Sequence, residues 1–165
     1  MPAVVSDTSV LHCLAITGQF QCLHKVFGTV PHPPAVLTEV SRRPDLPVHG
    51  QTQTAILEGW MKVVTPHDQV AVHSLRKDLG AGECEAIILA KELQPSLLLI
   101  DDLDGRITTQ KLRLQVIGTV GVLLRARKLG HIPFLKPLLD DLVAHRFRLG
   151  TQLYTQALRE AGELQ

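Results

Sequence analysis

The chain has 165 residues, 45% of them hydrophobic and 20% charged, with a formal charge of +1. A chain of this length buries roughly 70% of the surface it exposes when unfolded, so a single domain spanning residues 1–165 needs no disulfide or metal staple. Its 12 Gly and 10 Pro exclude a disordered or collagenous protein, and near-neutrality excludes one that coats nucleic acid by bulk positive charge.

In chain order, Pro2–Ser6 reads as a buried strand ending in Asp7, and Thr8 onward takes a helical spacing through Leu11, Leu14 and Ala15 that stops at Gly18. Phe20, Leu23, Val26 and Phe27 form a second helical stripe closed by Gly28. Thr29–His32 reads as a strand, and Pro33-Pro34 opens a helix that carries Glu39. Arg42–Gly50 reads as a loop, residues 51–58 as a helix and Trp60–Thr65 as a strand. A polar helix near 67–77 precedes the loop 79–82, which delivers Glu83 and Glu85 to the first turn of a helix reaching Leu93. Leu97–Ile100 is the clearest buried strand, and Asp101-Asp102 follow it. Residues 104–113 read as helix, 115–118 as strand and 120–129 as helix, and amphipathic helices near 134–146 and 151–162 complete the chain. Strands alternating with helices predict an α/β fold with a parallel sheet covered on both faces.

No apolar run approaches the roughly 20 residues of a membrane span, and the first residues lack the basic start of a signal peptide, which predicts a soluble cytoplasmic protein. Cys13, Cys22 and Cys84 form no Cys-x-x-Cys pair and read as reduced core residues. The charge is unevenly spread. Residues 1–104 hold 7 basic and 12 acidic side chains, 105–148 hold 9 and 2, and 149–165 hold 1 and 2. An acidic stretch before a basic one suits a metal-dependent enzyme acting on a polyanion, and equally suits ordinary solvated helices.

In open parallel sheets functional residues lie beyond the carboxyl ends of the strands, where Asp7 and Asp101-Asp102 fall. Each acid also has a structural explanation. Asp7 can cap its helix, Glu83 can favour a helix dipole, and Glu39 can be a surface residue. Glu85, with Ile88 and Leu89 three and four positions on, lies on an apolar helical face, which favours it over Glu83. Several carboxylates in one crevice raise each other's pKa unless a cation neutralises them, and all-oxygen donors select Mg²⁺ or Mn²⁺. No histidine pattern points to zinc; His12, just over one turn beyond Asp7, is the one to watch.

The order of Ser6-Asp7-Thr8-Ser9, Pro33-Pro34-Ala35-Val36 with Glu39-Val40, Gly80–Ile87 and Leu98–Asp102 resembles the PIN-domain nucleases. The nearest likeness is to a prokaryotic branch of unknown function whose tail is similar to Val116–Ala126 and Phe147-Arg148-Leu149. The resemblance implies a three-layer α/β/α fold, with the helices at 134–162 packed on or beside it, and RNA cleavage with one or two Mg²⁺ or Mn²⁺ ions. It places catalytic and metal-holding acids at Asp7, Glu39, Glu85 and Asp102, with Asp101 adjacent, Asp104 as an outer member, and Ser9 and Glu83 in support. The choices between Glu83 and Glu85, and between Asp101 and Asp102, stay open. Val10 stands where the branch often has Pro. Arg106, Lys111, Arg113, Arg125, Arg127 and Lys128 are candidates for the phosphate backbone. Toxin ribonucleases held by a small antitoxin resemble this fold, and homodimers or higher oligomers are common in it. The competing reading is a non-catalytic module of the same fold that binds RNA or protein. A phosphoacceptor domain expects its acid pair after the first strand, and here the pair comes late.

Overall fold

A computed structural model describes residues 2–165. The first apolar run forms β1 (Ala3–Ser6), and α1 (Thr8–Ile16) follows directly because the Asp7 side chain accepts the Val10 N–H. The chain continues through α2 (Cys22–Phe27), β2 (Val30–His32), α3 (Pro34–Ser41), α4 (Pro47–Leu57) and β3 (Met61–Val63). Then come α5 (Gln69–Leu75), α6 (Ala81–Glu92), β4 (Ser96–Leu99), α7 (Leu103–Lys111), β5 (Gln115–Ile117), α8 (Thr119–Lys128), α9 (Lys136–Ala144) and α10 (Thr151–Glu160).

The expected elements all form, with one boundary moved substantially. The segment read as a loop to Gly50 already becomes helical at Pro47. A proline at the first helical position has its φ preset and lacks an N–H that would go unbonded there, so it opens this helix instead of prolonging the loop.

All strand pairs are parallel: β1 with β4, β4 with β5, and β2 with β3. β2 lies beside β1 without a continuous ladder, so the strands run β3-β2-β1-β4-β5 across the molecule. Alternation along the strands sorts their side chains to two faces. Val4, Leu97 and Leu99 join one core with Leu11, Leu14, Leu23, Leu123, Leu139 and Leu158, which come from α1, α2, α8, α9 and α10. Val5, Leu98 and Ile100 join another with Val72, Ile87 and Leu89 from α5 and α6. Helices thus cover both faces of a central parallel sheet, giving three α/β/α layers.

The central position of β4 sets an expected cost. Leu98 is fully buried between the sheet and α6, so Leu98→Ala should destabilise by about 2–5 kcal/mol in equilibrium urea unfolding. Leu57, 88% exposed, should change stability by about 0.5 kcal/mol or less on the same replacement.

Candidate active site

Strand register carries two acids to one edge. Ser6 stands level with Leu99, and Leu99 with Ile117. One residue on, the Asp7 N–H donates to Leu99 C=O at 3.0 Å and the Ile100 N–H to Ile117 C=O at 3.0 Å. Asp7 and Asp101 therefore leave neighbouring strands almost side by side. From β1 the chain builds outward to β2 and β3 on one side and later returns as β4 on the other, so a crevice opens between these two strand ends.

Four carboxylates at this edge each meet the amino end of a helix, where backbone N–H groups lack intrahelical partners. Asp7 Oδ1 accepts from Val10 N at 3.0 Å in α1. Glu39 crosses from α3: its Oε1 accepts from Gly82 N at 2.8 Å in α6, and its Oε2 accepts the Thr8 hydroxyl. A Cβ at Gly82 would lie 2.5 Å from Glu39 Oε2, so a larger residue there would push the Glu39 carboxylate off this bond. Asp101 takes both donors of Thr119 in α8, the N–H at 2.8 Å and the hydroxyl at 2.6 Å. A Cβ at Gly118 would strike the Asp101 carboxylate and the Arg106 guanidinium. Asp102 caps α7 through Gly105 N at 2.9 Å.

Two carboxylate oxygens in this crevice are buried without any hydrogen-bond partner, Asp7 Oδ2 and Glu83 Oε2. Burial pushes the Asp7 carboxyl well above its ordinary value, with the nearby charges of Asp101, Glu83 and Glu39 adding to the rise against the opposing bond from Val10. Glu83 is pushed up to about 7, first by burial and then by Asp102, Glu39 and Asp104. Asp7, Glu39, Glu83, Asp101 and Asp102 thus feel one another, with Asp104 exposed on the rim. Among the described residues, no three His, Cys, Asp or Glu side chains already converge on one ion-sized point.

The other sequence candidates occupy different places. Glu85 Oε2 accepts from Ala35 N at 2.8 Å, so its carboxylate holds the start of α3. Ser9 is exposed and lines a cleft with Asp101 and Asp102; the hydroxyls that bond the acids belong to Thr8 and Thr119. Arg106 lies at the edge, its Nε donating to Ile100 C=O at 3.1 Å. Lys111 stands at the far end of α7, and Arg113 lines a hollow with Pro2 and Pro95 at the opposite edge of the sheet. Arg125 lies 5.8 Å over the Phe27 ring, Arg127 pairs with Glu163 at 3.1 Å, and Lys128 pairs with Glu160 at 3.0 Å.

His12 lines the same cleft, its pKa lowered by burial and then by Arg43 and His145. Burial, helped by Asp101, raises the Cys13 thiol to about 11, so Cys13 carries no thiolate at neutral pH. The cysteines are all free. Sequence reasoning missed Thr8 and Thr119 as supports, and His145, Arg146 and Arg148 as neighbours of Asp101. The tail motif around Phe147 was the available signal. No described helix is long and apolar enough to cross a membrane.

A family model described as a PIN domain matches residues 3–163. No curated protein and no solved structure matches the chain.

The raised carboxyls make stability depend on pH. Folded Glu83 keeps its proton up to about pH 7, whereas an ordinary Glu loses it near 4.5, so its contribution is complete below the lower value and is lost as pH rises through the higher. Asp7 acts in the same direction. Without added metal, Tm should fall between about pH 5 and pH 8, and Glu83→Gln should flatten that fall in thermal scans across the range.

Proposed function

The chain belongs to the PIN-domain family, and from that membership and its acidic crevice we propose that it is a metal-dependent endoribonuclease hydrolysing phosphodiester bonds of RNA. PIN domains are generally nucleases, which supports a hydrolase acting on nucleic acid. The observation that carries the finer reading is the pair of orphaned, buried carboxylate oxygens on Asp7 and Glu83, set among Glu39, Asp101 and Asp102. Buried polar atoms in folded proteins are normally partnered, and an all-oxygen set of this kind fits a hard divalent cation such as Mg²⁺ or Mn²⁺.

Asp7, Glu83 and Asp102 would hold one or two such ions, with Glu39 and Asp101 beside them and Asp104 as an outer neighbour. When bound, the ion offsets charge on the scissile phosphate and makes water a better nucleophile at neutral pH. The chain's own residues set the geometry. Thr119 fixes the Asp101 carboxylate by two hydrogen bonds, and Thr8 and Gly82 fix Glu39. Glu85 holds the start of α3, the helix that carries Glu39.

A second reading, a PIN-like module that binds RNA or protein without turnover, is favoured by the lack of a preformed three-residue metal group among the described residues. A small antitoxin-like partner with basic side chains would suit the same crevice. That partner and assembly into homodimers rest on family resemblance alone, and copurification with the product of an adjacent small reading frame tests the first of them.

Cleavage of unstructured RNA with Mg²⁺ or Mn²⁺ should fall by about 100-fold or more in Asp7→Asn and in Glu83→Gln, since several kcal/mol of charge stabilisation depends on the ion. Calorimetric titration should show Mn²⁺ binding that both replacements weaken. Cleavage untouched by Asp7→Asn overturns the site. No Mn²⁺ binding at millimolar concentration selects the non-catalytic module.

A further inference from the structure

Two clefts open on either side of Asp101, and one short segment lines both. The first, about 340 Å³, has Ser9, His12 and Arg146 in its wall. The second, about 450 Å³, has Leu103, Arg106, Val116 and Leu153. Asp101, Phe147 and Arg148 belong to both. Each cleft has room for a group the size of a nucleotide.

The basic side chains of the C-terminal half divide by position. Away from the crevice, Arg127, Lys128 and Lys136 are neutralised by Glu163, Glu160 and Asp140 at 3.1, 3.0 and 2.7 Å. Among the described residues, no carboxylate lies within 4.0 Å of Arg106, Arg146 or Arg148, the three arginines that line the clefts. Arg146 and Arg148 are exposed, whereas Phe147 between them packs partly against the core and its N–H donates to Leu142 C=O at 3.0 Å. The segment is thus anchored at its middle and charged on both sides.

Arg146 also occupies an unfavourable backbone position. It follows the end of α9 at φ +66, in the left-handed region where glycine is the usual residue because it has no Cβ. Arg113, at φ +56 beyond α7, shares that conformation at the opposite edge of the sheet, so what sets Arg146 apart is the cleft beside Asp101 that it lines.

We propose that Arg146-Phe147-Arg148 is the strand-holding arm of the crevice. The two arginines grip phosphates of one RNA strand, and Phe147 supports an unstacked base. The strand passes from one cleft to the other and sets a phosphodiester over Asp101. Arg106 adds a third positive charge on the far side. The apolar wall of Leu103, Val116 and Leu153 suits a base freed from its partner, so the arm takes single strands in preference to duplex. The identity of the polyanion rests on the ribonuclease reading, which this proposal deepens.

Fluorescence anisotropy with a short labelled unstructured RNA, in buffer with Ca²⁺ in place of Mg²⁺, tests the arm apart from catalysis. Arg146→Gly and Arg148→Ala should each weaken binding by about tenfold, as for loss of a charge-assisted contact. Together they should reduce the slope of log K against log salt by about 1.4, the value for two phosphates of a single strand. Phe147→Leu, which keeps an apolar anchor, should weaken binding by about tenfold through lost stacking. Arg146→Gly should hold or raise Tm, since it relieves the backbone, which a merely structural arginine that also governed binding through the fold would not allow. The charge-matched control Lys62→Ala/Lys77→Ala, at exposed positions on other elements, should leave affinity unchanged.

Unchanged affinity and salt slope in the Arg146→Gly/Arg148→Ala protein overturn the proposal, as does wild-type protein that binds no RNA. Arginine-dependent RNA binding without cleavage in Mg²⁺ or Mn²⁺ upholds the arm and removes the nuclease reading.

Discussion

The site depends on the meeting of carboxylates with helix amino ends at the carboxyl edge of the sheet. In a parallel βα arrangement each helix that follows a strand starts at that edge, so its unbonded N–H groups and the positive end of its dipole gather there. Val10, Ala35, Gly82, Gly105 and Thr119 present those N–H groups, and Asp7, Glu85, Glu39, Asp102 and Asp101 accept them. The same bonds fix the helices and offset part of the repulsion among the acids. What they leave unmet are the oxygens Asp7 Oδ2 and Glu83 Oε2, where the proposed cation would sit.

The overall charge of +1 is therefore the sum of two separated populations. Acids concentrate at the crevice, whereas Arg127, Lys128 and Lys136 of α8 and α9 pair with Glu163 just beyond α10, Glu160 at its end and Asp140 one turn along α9. The arginines that stay without a carboxylate partner border the acids on both sides. The proposed grip on a polyanion at the rim and hold on a cation at the floor are compatible with this separation, which a uniformly basic surface would not permit.

Much of the fold was legible because period and punctuation are local. The apolar runs at Val4-Val5 and Leu97–Ile100, and the stops at Gly18 and Gly28, need no knowledge of distant residues, and both glycines adopt a positive φ. Pro47 was harder, since a proline marks a loop and a helix start equally well until the following turn is seen to bond. The convergence of Asp7 with Asp101 was legible only as a condition on strand adjacency, which the β1–β4 pairing meets.

The choice between Glu83 and Glu85 shows where local reading stops. Two residues apart on α6, they point about 200° apart around the helix. The apolar face behind Glu85 did signal contact, and that contact is with the start of α3, while Glu83 is the one that faces Asp102 and Glu39. Of the basic candidates, sequence position alone could not separate Arg106 at the crevice from Arg113 at the opposite edge, because seven residues of helix and turn carry the chain across the sheet. By itself the sequence determined the residue types, the alternation of strands and helices, and the placing of acids after strands, all set by neighbours along the chain. Only the tertiary structure decided which carboxylates share a crevice, which oxygens lack partners and which arginines stay unpaired, because burial and charge depend on what distant segments bring alongside.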